Sequence, residues 1–257
     1  MQGAARIPVK PRFEDHFSRQ SGSYAASRPD YPATLFRYLA GIAPAHDRAW
    51  DCATGNGQAA VALAPHFHEV IATDASAQQL SHAPRRSGIA YRVAGAEESG
   101  IETGSVDLVT VAQALHWFDR ERFYAEVAGV LKPGGVLAVW SYNLLQISPE
   151  LDRLIGRLYG DIVGGYWPAQ RRLVEDGYRS LDLPFPELSP PAFEMVAHWS
   201  LGRLMSYLGS WSAVQRYKDA KGPDPVALIA DRLRAAWGSE EHRAVRWPLA
   251  LRVGIRP

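Results

Sequence analysis

The stretch Asp51-Cys52-Ala53-Thr54-Gly55-Asn56-Gly57-Gln58 decides the fold. It joins an apolar run over residues 49–53 to an Ala-rich run over 57–65, so a strand hands over to a helix through a glycine turn. In α/β sheets that junction, at the carboxyl end of a strand, is where ligands bind. On either side of it, short apolar runs alternate with helical segments. Strands are predicted over residues 49–53, 69–73, 89–93, 106–111 and 136–142, with helices over 57–65, 76–83 and a third that Asp119 caps. The alternation is that of βαβ units and a mostly parallel sheet.

Upstream, residues 15–26 predict a short helix, and Asp30-Tyr31-Pro32 a helix start with Asp30 as N-cap. Leu131-Lys132-Pro133-Gly134-Gly135 reads as a turn before strand 5. Downstream, residues 149–163 and 168–180 read as helices of a cap inserted after strand 5. A sixth strand is expected over 193–200, helices over 201–207 and 225–237, and a closing strand over 244–255, where Pro248 predicts an edge or bulge. The expected organisation is one domain over residues 1–257: a cofactor-binding core over 13–143, a cap and substrate region over 144–240, and a closing strand over 244–257.

Composition narrows the class. In 257 residues, Lys and Arg total 28 against 27 for Asp and Glu, a net charge of +1, and no basic stripe suggests a nucleic acid partner. A single cysteine, Cys52, rules out an internal disulfide framework and a cysteine-based metal cluster; we expect a cytoplasmic protein and an inert core thiol. No run of about 18 apolar residues predicts a membrane span, and residues 1–15 lack the apolar segment of a secretory signal. The expected partner is a small molecule, with the chain a monomer or homodimer.

The glycine loop has two readings. Gly55-x-Gly57-x-x-Ala60 fits a dinucleotide pattern, so an NAD(P)-dependent oxidoreductase is one. Asp51 separates them, because a carboxylate beside the loop repels a pyrophosphate docked on the helix N-terminus. That acid suits a cationic ligand instead. S-adenosylmethionine meets the description: it has an ammonium, a positive sulfonium, an adenosine and no phosphate. Asp74, at the end of strand 2, suits ribose hydroxyls under either reading.

Over roughly residues 13–143 the chain resembles the class I S-adenosylmethionine-dependent methyltransferases, and within them the group of methyltransferase type 11 and trans-aconitate methyltransferase-like enzymes. The resemblance rests on residues 51–58, Asp74, Ala96-Glu97 and Leu131 to Gly135. Further marks are Tyr24-x-x-x-Arg28-Pro29-x-Tyr31-Pro32 and His116-Trp117-Phe118-Asp119. It implies a Rossmann-like three-layer αβα sandwich, with a mostly parallel seven-stranded sheet. S-adenosylmethionine is the implied cofactor and S-adenosylhomocysteine its product, with no metal. Tyr24 and Arg28 are expected to close over the methionine end, Asp51, Ala53, Gly55 and Gly57 to form the loop, Asp74 and Ala75 to meet the ribose, and Ala96 and Glu97 the adenine. Gln113 and Ala114 complete the cofactor contacts. Ala53 stands where the family usually has a glycine, and is expected to keep φ below zero.

The expected reaction is in-line methyl transfer to a small molecule, at a carboxylate or hydroxyl oxygen. His116 is the titratable group best placed as a general base; its alternative role is to shape the pocket. Trp117 and Tyr142 are the expected substrate-pocket aromatics, and Trp140 is expected to be packing. Asp51 and Asp74 also have structural readings, as a strand-end acid and a helix N-cap. A protein that binds the cofactor without catalysis is the remaining alternative.

Overall fold

A computed structural model describes residues 29–257. Its elements are α1 (Ala33–Ile42), β1 (Arg48–Cys52), α2 (Gln58–Leu63), β2 (Glu69–Asp74), α3 (Ala77–Ser81), β3 (Ile89–Val93), β4 (Val106–Ala112), α4 (Arg120–Val130) and β5 (Leu131–Ser141). After them come α5 (Pro149–Arg157), α6 (Arg171–Glu175), β6 (Glu187–Leu188), β7 (Phe193–Trp199), α7 (Leu201–Gly209), α8 (Ser212–Lys221), α9 (Ala227–Trp237) and β8 (Arg243–Ile255). All seven expected strands form, and the two-residue β6 is an eighth. The predicted helix over 15–26 lies outside the described residues.

The sheet order is β3-β2-β1-β4-β5-β8-β6, with β7 also paired to β8. β1 to β5 run parallel, and β8 is antiparallel to β5, β6 and β7. Because side chains alternate along a strand, β5 sends Val136, Ala138 and Trp140 to one face, and Leu137 and Val139 to the other. The first face packs on Leu35, Phe36 and Leu39 of α1 and Leu63 of α2; the second packs on Phe123, Val127 and Val130 of α4. Three layers result, a Rossmann-like α/β sandwich.

Several local expectations change. The N-cap of α1 is Pro32, without a side-chain cap bond, because Pro32 itself has extended backbone (ψ 137°) and the helix starts one residue later. Asp30 instead accepts from Gln58 Nε2 at 3.1 Å. Leu131 to Gly135 is no free turn: the strand begins at Leu131, with an irregularity in register between Val106 and Leu108. Lys132 anchors it, meeting the fully buried Asp107 at 2.8 Å, while Asp107 also accepts the Asp47 and Arg48 amides at 2.9 Å. That buried acid is thus compensated by one ammonium at Oδ1 and two amides at Oδ2, as burial of a charge requires.

Pro248 makes no bulge; of the two expectations the edge holds, since β8 pairs with β5 only from Ala250 on. It pairs in register with Glu194 of β7, just past the last β5 pair, Ser141 with Ala250. In the cap, the predicted helix over 149–163 ends at Arg157 and widens into a π-type turn, Leu158–Ile162; that over 168–180 shrinks to α6. Helix α8 was not expected, its sequence SAVQRYKDAK being largely polar. Among the described residues no helix is long and apolar enough to cross a membrane.

Candidate functional site

The carboxyl ends of β1, β2 and β4 lie side by side, and each carries a tight turn. At the end of β1, Ala53 (φ 53°), Gly55 (φ 59°) and Gly57 (φ 82°) all adopt the left-handed conformation. The turn is held to its neighbour: Thr54 N donates to Thr73 O at 2.9 Å, and Gly55 N to Asp74 Oδ2 at 2.9 Å. Asp74 Oδ1 also accepts Ser76 N at 2.8 Å. Asp74 therefore does double duty, fixing the glycine loop from the next strand. Ser76, not Asp74, caps α3, with its side chain accepting from Gln79 N at 3.3 Å.

Ala53 corrects the expectation of negative φ. The bonds on either side of the loop impose the left-handed turn on a residue with a Cβ, at a cost of about 1–2 kcal/mol. Ala53→Gly removes that cost, against about 0.5–1 kcal/mol of extra chain entropy in the unfolded state. The expected melting temperature is unchanged or raised. A fall of about 2–4 °C, worth about 1 kcal/mol, would mean that the strain is relaxed elsewhere.

Asp51 lies beneath this loop and is 1% exposed. Oδ2 accepts Thr54 Oγ1 at 2.5 Å and Oδ1 accepts Thr110 Oγ1 at 2.8 Å. Burial pushes its carboxyl up to about 6, against which the two hydroxyl bonds work. It forms no ion pair among the described residues, so its negative charge is solvated by hydroxyls and not neutralised. Cys52 next to it is fully buried, and burial raises its thiol.

At the β4 edge, Gln113 (φ 57°) donates from Nε2 to Tyr142 O at 2.7 Å, and its amide reaches Trp140 O at 2.9 Å. The turn after β4 is thereby locked to the end of β5. Ala114 is buried and leads into a 3-10 turn, Leu115–Trp117. His116 Nδ1 lies 2.9 Å from Tyr178 Oη, a residue after α6 that itself has φ 61°. His116 also packs on Trp117, with ring centroids 4.7 Å apart. The three left-handed non-glycine residues of the described chain, Ala53, Gln113 and Tyr178, all sit around this edge. Such strain persists where the surroundings over-determine it and gathers at functional sites.

The other expected residues separate into groups. Ala75 is exposed directly beyond Asp74, and Ala96 is buried in the turn after β3. Glu97 accepts the Asp119 amide at 2.9 Å, tying that turn to the start of α4. Trp140 is buried packing, edge-on to Tyr31 at 5.4 Å, and Tyr142 is also buried. Tyr24 and Arg28 lie outside the described residues. Sequence reading missed Thr54 and Thr110, the hydroxyls on Asp51, and Tyr178. Only the strand register, Asp51 beside Thr110, brings the second hydroxyl into reach.

A glycine loop over an uncompensated buried acid, with a second acid at the end of the neighbouring strand, fits a cationic adenosyl ligand better than a pyrophosphate. Fold and site together define a Rossmann-like α/β protein with a ligand site at its strand ends. A methyltransferase domain model matches residues 50–139. A Dictyostelium discoideum protein named as a methyltransferase is 32% identical over 235 residues, covering 90% of this chain and 89% of its own length. A Saccharomyces cerevisiae protein named as an S-adenosylmethionine-dependent methyltransferase is 32% identical over 140 residues, 51% of this chain and 47% of its own. A solved structure from Anaeromyxobacter dehalogenans, described as a type II methyltransferase, superposes with a TM-score of 0.85 at 45% identity, covering 89% of this chain and 97% of that one.

The chain belongs to the class I S-adenosylmethionine-dependent methyltransferases. That membership excludes the oxidoreductase reading and makes S-adenosylmethionine the cofactor.

Proposed function

We propose that this methyltransferase acts on an oxygen of a small organic molecule. The observation that carries the proposal is the clasp between His116 and Tyr178, which brings the segment after α6 down onto the β4 edge. A roofed edge suits a small acceptor better than a polymer. Donors gather at this edge, Gln113 Nε2 at Tyr142 O and Arg171 Nη2 at Asn143 Oδ1, and a carboxylate oxygen is held by donors.

When bound, S-adenosylmethionine supplies a methyl group on a positive sulfur, a leaving group already activated, so the reading assigns no step to a metal. The chain's task is alignment. Asp51 contributes a negative charge under the loop, Asp74 at the end of β2 is assigned to the ribose hydroxyls, and Gln113 keeps the β4 and β5 ends in fixed relation. Ala75, Ala96, Glu97 and Ala114 are assigned to the adenosine side. Trp117 and Tyr142 are assigned to the acceptor side.

His116 acts here as a positioning group. Burial pushes the Tyr178 phenol well above its usual range, with the Arg171 charge pulling the other way, so the phenol keeps its proton. A phenol that donates that proton to His116 Nδ1 leaves the imidazole proton on Nε2. In that tautomer Nε2 donates and cannot abstract a proton. His116→Gln is therefore expected to lower kcat by about tenfold or less, with S-adenosylhomocysteine affinity kept and the pH profile unmoved. A loss of about 10²–10⁴ with disappearance of a limb near neutrality would restore the base role.

The direct test uses methyl-tritiated S-adenosylmethionine with panels of small carboxylic acids, phenols, alcohols and amines. Label is expected in the oxygen panels. Base-labile label marks a carboxyl ester and base-stable label an ether; label confined to amines would refute the proposal. The cytoplasm is the proposed compartment, resting on a single buried thiol.

A further inference from the structure

One cation in the roof lacks the counter-ion that its surroundings call for. Arg171 opens α6 and is half-buried, yet forms no ion pair among the described residues. Its side chain is nonetheless fixed. Nε donates to Tyr159 Oη at 2.9 Å and Nη2 to Asn143 Oδ1 at 2.6 Å. Cζ stands 4.9 Å from the Trp167 ring centroid and 5.6 Å from that of Tyr159. Trp167 is in turn held by its Nε1, which donates to Tyr159 O at 3.1 Å. Glu175, one turn along α6, forms no direct ion pair with it and is reached only through Tyr159, whose hydroxyl accepts from Arg171 Nε and donates to Glu175 Oε1.

Neutral groups thus touch the guanidinium on three sides, and Nη1 has no hydrogen-bond partner among the described residues. The planar fork matches the two oxygens of a carboxylate, and aromatic faces hold it at little further cost in side-chain freedom. Desolvated charges are ordinarily paired, so a fixed, half-buried arginine without an anion is arranged to receive one. Its position is the acceptor edge. Asn143 lies two residues past the end of β5, and the Arg171 charge acts on the Tyr178 phenol that meets His116 past β4.

We propose that Arg171 is a specificity-determining residue that pairs with a carboxylate of the methyl acceptor. The proposal rests on the small-molecule, oxygen-acceptor reading above. The carboxylate is either the group methylated or a handle beside it, and base lability of the product distinguishes the two.

The test compares wild type with Arg171→Lys and Arg171→Met, each first shown by calorimetry to bind S-adenosylhomocysteine as wild type does, which establishes that it is folded. Methyl-tritiated S-adenosylmethionine is supplied with a pool of aliphatic and aromatic carboxylic acids bearing hydroxyls, and with the matching primary amides. Label is expected in the acids and not in the amides. Arg171→Met is expected to raise KM for the labelled acid by about 10- to 100-fold, the range of a charge-assisted pair, with kcat within a few-fold. Arg171→Lys, which keeps the charge but loses the fork, is expected to fall between.

Equal labelling of amides, or an unchanged KM in Arg171→Met, overturns the role of Arg171 and leaves the oxygen-acceptor reading standing. If neither pool is labelled, thermal unfolding with S-adenosylhomocysteine and either benzoate or citrate as probe decides. Stabilisation of wild type that Arg171→Met loses keeps the anion site and sinks the acceptor reading; no stabilisation of wild type removes the anion site as well.

Discussion

Asp51→Asn is expected to bind S-adenosylmethionine about ten- to a hundredfold more weakly at neutral pH, the scale of one charge interaction lost in a partly screened site. The same variant is expected to be the more stable protein above pH 6. Burial lifts the folded-state pKa of Asp51 from 3.8 to about 6. Between those values the unfolded chain has released a proton that the folded chain still holds, so stability falls as pH rises through the window and the loss is complete above pH 6. The shift corresponds to a penalty on the order of 3 kcal/mol. An amide has no proton to release and escapes it.

Binding has the opposite slope. A cationic cofactor favours the ionised carboxylate, so wild-type affinity is expected to fall about tenfold per pH unit below 6, while that of the variant stays flat. Calorimetry and urea unfolding between pH 4.5 and 8 measure both slopes. A flat wild-type binding curve would mean that the cofactor does not feel this charge. The buried acid is then a cost to the fold that only the ligand offsets.

Gly57→Ala is expected to destabilise the protein by about 2–4 kcal/mol and to abolish measurable cofactor binding. Two effects add. Gly57 is the N-cap of α2 at φ 82°, where a side chain costs about 1–2 kcal/mol. Its Cβ would also stand 2.5 Å from Tyr91 Oη and 3.1 Å from two ring carbons. Tyr91 reaches across from β3 and donates to Pro84 O at 3.2 Å, so its retreat breaks that bond and opens the packing against α2. Gly55→Ala is the matched control: φ is 59°, but a Cβ there meets nothing within 4 Å, and only the backbone cost remains. Urea unfolding of both, with Tyr91→Phe added to Gly57→Ala, resolves the two parts. Equal losses for Gly55→Ala and Gly57→Ala would eliminate Tyr91 as the constraint.

Much of this was legible in the sequence, for a physical reason. The strands of a parallel sheet are buried on both faces, so β1, β2, β4 and β5 stand out as short, mostly apolar runs between polar turns. The acids at strand ends stand out equally. Helix α8 did not, because its polar sequence packs through little more than Ala213 and Val214. The bonds of Asp51 to Thr110 and of Asp107 to Lys132 depend on strand register, and the sign of φ at Ala53 on tethers from β2; neither is a local property. Arg171 was the least visible. Its partners Asn143, Tyr159 and Trp167 follow no spacing, and meet only because the chain after β5 doubles back.

Strand β8 has two allegiances: residues 243–249 pair with β7, and residues 250–255 with β5. One continuous strand therefore belongs both to the acceptor-side helices' sheet partner and to the cofactor-side sheet. It is also late in the chain, after every roof helix has been made. Until it arrives, the edge of β5, with Leu137 and Val139 on it, has no neighbour, and exposed apolar edges are sticky. A chain emerging from the ribosome would carry its parallel core, complete in sequence but open on one side, through the synthesis of about a hundred further residues. The last strand is thus a latch whose timing sets how long this protein is exposed to misassociation.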